Sequence, residues 1–116
     1  MTPRKLTVGL DLGERFTQLC GLGAQGRVVA TERLRTTPAA LERDFTALPH
    51  CRIVLAVGTH SPWVSRLLGR LGHEVLVANA RQLRLIYGSD RKSDRVDAET
   101  LARLGRLDPA LLKPIR

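Results

Sequence analysis

The chain has 116 residues, 43% hydrophobic, 26% charged and 3% aromatic, a composition that fits one domain with a real core and excludes a disordered chain. No apolar run approaches the roughly 20 residues a membrane-spanning helix needs, and the opening Met1-Thr2-Pro3-Arg4-Lys5-Leu6 lacks the apolar core of a secretory signal, so a membrane protein is excluded and a cytoplasmic location is expected. Nineteen basic residues, 16 of them Arg, against 11 acidic ones give a net charge of +8, which makes an anionic polymer, nucleic acid above all, the first partner to consider.

Leu6 to Leu12 alternates, with Leu6, Val8 and Leu10 on one face and Thr7, Gly9 and Asp11 on the other, and so predicts a strand with an acid near its end. Phe16 to Leu22 and Arg27 to Leu34 read as two more strands, joined by the hairpin Gly23-Ala24-Gln25-Gly26. Thr37 followed by Pro38 marks a helix start, and Leu41, Phe45 and Leu48 supply its buried stripe. Ile53 to Val57 is apolar on both faces, as a central parallel strand requires. After the turn Gly58-Thr59-His60, Ser61 is read as the cap of a helix through Trp63, Leu67, Leu68 and Leu71 that Gly72 stops. Trp63 reads as a core anchor.

Glu74 to Ala78 is the next strand, paired through a right-handed crossover. Asn79 caps a short helix carrying Leu83 and Ile86, Ser89 to Ser93 is a polar loop, and Ser93 caps a last helix from Asp94 to about Leu107. The expected fold is α/β: a mixed sheet of three antiparallel strands followed by βαβ units, with helices on both faces, the order of an RNase-H-like domain. That domain is expected over residues 1–108, with 109–116 as a tail. Cys20 and Cys51 lack metal-ligand spacing and read as reduced core residues.

The sharpest feature is Lys92-Ser93-Asp94-Arg95-Val96-Asp97-Ala98. On a helix, Asp94 and Asp97 share a face, and that face continues through Leu101 and Leu104 towards the sheet. Two carboxylates on an inward stripe repel and need compensation from basic partners or a divalent cation. With Asp11 at the end of the first strand they would form a hard-oxygen site suited to Mg²⁺ or Mn²⁺. Aspartates in a first helical turn are also favoured by the macrodipole alone, so capping is the competing reading. Arg91, Lys92 and Arg95 flank the acids and Arg81 and Arg84 precede them. These five, with His60 in the turn after the central strand, are the candidate phosphate contacts. A solvated basic loop and a hydrogen-bonded turn histidine are the plainer alternatives.

Val8-Gly9-Leu10-Asp11, Gly58-Thr59-His60-Ser61-Pro62-Trp63, Gly72-His73-Glu74-Val75 and Asp90-Arg91-Lys92-Ser93-Asp94-Arg95-Val96-Asp97-Ala98 resemble, in order, the N-terminal domain of DEDD-type insertion-sequence transposases, the IS one-ten family. The resemblance implies a RuvC-like, RNase-H-like catalytic domain in which four acids hold divalent metal for DNA strand cleavage and transfer. It matches Asp11, Asp94 and Asp97 to the first, third and fourth acids, and sets Ala56 where the family has Glu. Glu14 and Glu74 are the nearest substitutes by sequence, neither with an obvious geometry. The missing carboxylate implies weak or absent cleavage. Family members are longer, with a C-terminal domain that carries a nucleophilic serine; Ser61, Ser65, Ser89 and Ser93 do not match its motif. The chain therefore reads as an excised domain or truncated copy. The resemblance further implies DNA as partner, a structured guide RNA in the full-length protein, and a homo-oligomer.

Three other readings compete. An actin-like or sugar-kinase-like ATPase shares Gly9-Leu10-Asp11-Leu12-Gly13 but needs a second phosphate loop that the chain lacks. A Holliday-junction resolvase explains the charge but less of the Asp-Arg-x-Asp-Ala element. A nucleic-acid-binding module with a decayed metal site accommodates Ala56.

Overall fold

A computed structural model describes residues 6–79 and 97–107. The expected helix after Asn79, the Ser89–Ser93 loop and the expected boundary between residues 108 and 109 lie outside the described residues. Among the described residues five strands form one sheet: β1 (Thr7–Leu12), β2 (Phe16–Leu22), β3 (Val28–Arg35), β4 (Arg52–Ala56) and β5 (Glu74–Ala78). Three helices among the described residues accompany them: α1 (Pro38–Thr46), α2 (Ser61–Arg70) and α3 (Ala98–Leu107). The sheet order is β3-β2-β1-β4-β5. β1 is antiparallel to β2 and β2 to β3, whereas β4 runs parallel to both β1 and β5. The fold is mixed α/β and RNase-H-like, as the residue pattern predicts.

Strand alternation sorts the core into two layers. Val8, Leu10, Leu19, Leu34, Ile53 and Leu55 point to one face and pack with Leu41 and Phe45 of α1 and Val64, Leu67 and Leu68 of α2. Val54 and Ala78 point to the other face and meet Leu101 of α3, while Cys20 and Leu22 meet Ala98 and Ala102. The apolar run of β4 is thereby explained: helices cover the sheet on both sides of it.

Caps and turns follow their local chemistry. The Thr37 hydroxyl accepts from the Ala40 amide at 3.2 Å, with Pro38 in the first turn of α1. Gly26 and Gly72 have φ of 83° and 96°, the left-handed conformation that ends the hairpin and follows α2. Ser61 is the first residue of α2 and not its cap; its hydroxyl donates to the Gly58 carbonyl and accepts from the Gly58 amide, closing the turn that precedes the helix. The third strand starts one residue later than expected and extends to Arg35, whose partner across the sheet is Phe16.

Behind α1 and α2, buried His73 ties two segments together. Its Nδ1 accepts from the Cys51 amide at 3.2 Å, so Nε2 carries the proton and donates to the Phe45 carbonyl at 2.8 Å. Cys51 and Cys20 are buried and not joined in a disulfide, as expected.

Candidate active site

The acid at the end of β1 is placed by the β1–β4 register. Leu10 lies opposite Leu55, so the next residues in the two parallel strands, Asp11 and Ala56, are neighbours on the α3 face. Ala56 in turn lies opposite Ala78 of β5. Asp11 and Ala56 line one cleft of about 270 Å³, together with Glu14, Gly58, His60 and Leu101. The cleft sits where parallel strands end, the usual position for ligands in open α/β sheets.

α3 closes this cleft because small residues let it approach the sheet. A Cβ on Gly9 would overlap the Ala98 carbonyl, and one on Gly105 would overlap a Val54 methyl. Ala98, Ala102 and Gly105 fall on one helical face, and Gly9 is the strand's answer to them. The helical spacing of Ala98, Ala102 and Gly105 is the signal in the sequence that marks this stripe. The far end of α3 is clamped: Arg52 donates to the Gly105 carbonyl at 2.9 Å while pairing with Glu74 at 3.1 Å.

The start of α3 differs from the sequence reading. The described helix begins at Ala98, not Asp94, and Asp97 is its cap: Oδ1 accepts from the Thr100 amide at 2.8 Å, and the Asp97 carbonyl accepts from the Leu101 amide. Leu101 is fully buried and Leu104 partly so, as the extended stripe requires, but Asp97 itself is exposed and not inward-facing. The physical reason is that the orphan amides of the first turn compete for this carboxylate. Asp94, Arg81, Arg84, Arg91, Lys92 and Arg95 lie outside the described residues. Among the described residues, no three His, Cys, Asp or Glu side chains gather into a metal-binding group.

His60 joins the cleft through a short relay. The Trp63 indole, which can only donate, bonds His60 Nδ1 at 2.9 Å. The proton of the neutral ring is therefore on Nε2, which lies 2.6 Å from Glu14 Oε1. Trp63 thus orients a cleft residue as well as packing against the core. Of the two acids considered as substitutes for the missing Glu, Glu14 lines the cleft beside Asp11, whereas Glu74 is committed to the Arg52 clamp.

An RNase-H-like sheet with an acid at the end of its first strand, facing a helix that begins on a second acid, defines the class of this domain. The sequence model of the DEDD transposases of IS110 type, described as Transposase, matches residues 8–116. The chain belongs to this family, whose members are enzymes of DNA recombination. A search of curated proteins finds no match. No helix among the described residues is long and apolar enough to cross a membrane.

Proposed function

We propose that this chain is the metal-dependent catalytic domain of a DNA transposase, disabled at one ligand. The observation that carries the reading is the adjacency of Asp11 and Ala56 in a cleft that the first turn of α3 also borders. Asp11, Asp94 and Asp97 are the residues that would hold Mg²⁺ or Mn²⁺. Their chemistry fits, since carboxylate oxygens suit hard divalent ions; Asp97, exposed with Oδ1 engaged by the Thr100 amide, would have to turn its Oδ2 towards the cleft to share the ion. When bound, the ion supplies Lewis-acid polarisation of a phosphodiester and charge for its developing oxyanion.

The chain's own residues do the rest. Asp11 stands at the strand end and faces the cleft. His60, with its tautomer set by Trp63, presents an N–H at the cleft rim and holds Glu14 there. Arg81, Arg84, Arg91, Lys92 and Arg95 are assigned to the phosphates flanking the reacting one. Ala56 contributes no side-chain oxygen, so weak or absent strand cleavage by this chain is expected. In a full-length context, pairing with a guide RNA and self-association belong to the same proposal, as do a domain over residues 1–108 and a cytoplasmic location. The adjacency of an alanine to Asp11 favours a second reading, a DNA-binding module whose metal site is lost.

Thermal melting in Mn²⁺ separates the two. An Ala56→Glu chain should melt several degrees higher in metal, since about 1.4 kcal/mol of stability accrues at ten times Kd. Adding Asp11→Asn should remove the shift. An Ala56→Glu chain that melts identically with and without metal contradicts the catalytic reading and leaves the module.

A further inference from the structure

We propose that the exposed continuation of the α3 face, across β2 and β3, is a platform for a single DNA strand leading into the Asp11 cleft. This rests on the reading above, which makes that cleft the reacting end. In the cross-strand pairing, Asp11 lies opposite Gln18 and Gln18 opposite Arg33, while Phe16 lies opposite Arg35. All five side chains therefore share the α3 face. At a strand spacing of about 4.8 Å, Arg33 stands roughly 10 Å from Asp11, a span of one to two nucleotides.

The surface has the parts a strand requires. Phe16 is 37% exposed, and Arg33 stacks over its ring at 4.3 Å, with Arg35 at 5.9 Å. Guanidinium stacking fixes the plane of the fork and leaves its N–H groups for phosphate. The neighbouring arginines on this side of the sheet are already engaged: Arg103 with Glu99 and the Gly26 carbonyl, Arg106 with the Ala24 carbonyl, and Arg52 with Glu74. The guanidinium groups of Arg33 and Arg35 are in no ion pair or hydrogen bond among the described residues; their partner is the aromatic ring. Charge on an edge strand also deters pairing with other strands, but that needs no aromatic ring beneath it. Aromatic and cation together, beside an uncharged amide, are the elements of sequence-tolerant single-strand binding.

The test is fluorescence anisotropy of the full chain with a labelled single-stranded DNA of about 20 nucleotides, in chelator, across about 50–200 mM salt. Without metal, the readout does not depend on the cleft's cation site. Arg33→Gln with Arg35→Gln should weaken binding at least tenfold and flatten the salt slope by about 1.4, the value for two single-strand phosphate contacts. Arg33→Lys with Arg35→Lys should restore most of that slope. Phe16→Leu should weaken binding about fivefold or more with the slope unchanged, as loss of one stacked base predicts. Arg66→Gln with Arg70→Gln, on exposed positions of α2 across the sheet, should retain the slope. Melting curves establish that each variant is folded. The proposal is overturned if the wild-type chain does not bind the strand, or if the Arg33/Arg35 and Phe16 variants bind it as the wild type does. It is likewise overturned if the α2 variant loses as much slope as the β3 variant. None of these outcomes bears on the Mn²⁺ melting shift, which tests the cleft separately.

Discussion

At Gly9 the sheet and α3 approach too closely for a side chain, which explains why the strand carrying Asp11 has a glycine in its interior. A side chain there meets the backbone at Ala98 and Ala102, which cannot rotate away. Gly9→Ala should therefore lift the first turn of α3, with its Asp97 cap, and cost about 1–3 kcal/mol as an overpacking change. Urea denaturation measures the loss. Thr36 does comparable work under the β1–β2 turn. Its hydroxyl donates to the Gly13 carbonyl at 2.8 Å and so accepts from Thr17 at 2.9 Å, both threonines being buried. Thr36→Val keeps the shape but strands a donor and an acceptor, an expected cost of about 1–3 kcal/mol. The same denaturation curves check it, and a Thr17→Val partner that recovers part of the loss would identify the hydroxyl chain as the cause. The exposed Glu14–His60 pair, by contrast, is worth under about 1 kcal/mol to stability, and its interest is positional.

At the level of elements, α3 couples the acidic end of the domain to a buried thiol. Burial is the main cause that pushes the Cys20 thiol above its ordinary value; the Glu99 carboxylate raises it further, Arg103 opposes, and Asp97 adds a smaller rise. A raised folded-state pKa contributes stability below the unfolded thiol's value and loses it as pH climbs through the folded one. Stability should therefore decline above about pH 9 more steeply in the wild type than in Cys20→Ala. Denaturant midpoints across that range check the slope, and equal slopes would contradict it.

The elements also show what was legible in the chain and what was not. β4 could be read from Ile53-Val54-Leu55 because helices cover both of its faces, and α1 could be read from Thr37-Pro38 because capping is local chemistry. The start of α3 could not, since it depends on whether the Asp97 carboxylate serves its own helix amides or turns inward, a competition that spacing does not decide. The Phe16–Arg33 stack was likewise illegible: the two residues are distant in sequence and meet through the register of the β2–β3 hairpin.

At the scale of the molecule, three segments far apart in sequence arrive at one end of the sheet: the end of β1, the end of β4 and the start of α3. The chain order and the parallel, buried character of β4 were readable from alternation and loop signals; the β1–β4 register that sets Asp11 and Ala56 in one row was not. A net charge of +8 makes any DNA contact salt-dependent, but charge alone does not choose a surface. The acids and the arginines beside Phe16 do: they put the proposed reacting end and the proposed binding strip on the same face of the sheet. The most direct test of the account is a crystal structure of the Ala56→Glu chain grown in Mn²⁺, with anomalous scattering used to place the ion. A peak is expected in the cleft, within about 2.5 Å of an Asp11 oxygen and sharing the Asp97 carboxylate. A cleft without a peak, with Asp97 turned to solvent and serving its helix alone, would contradict it.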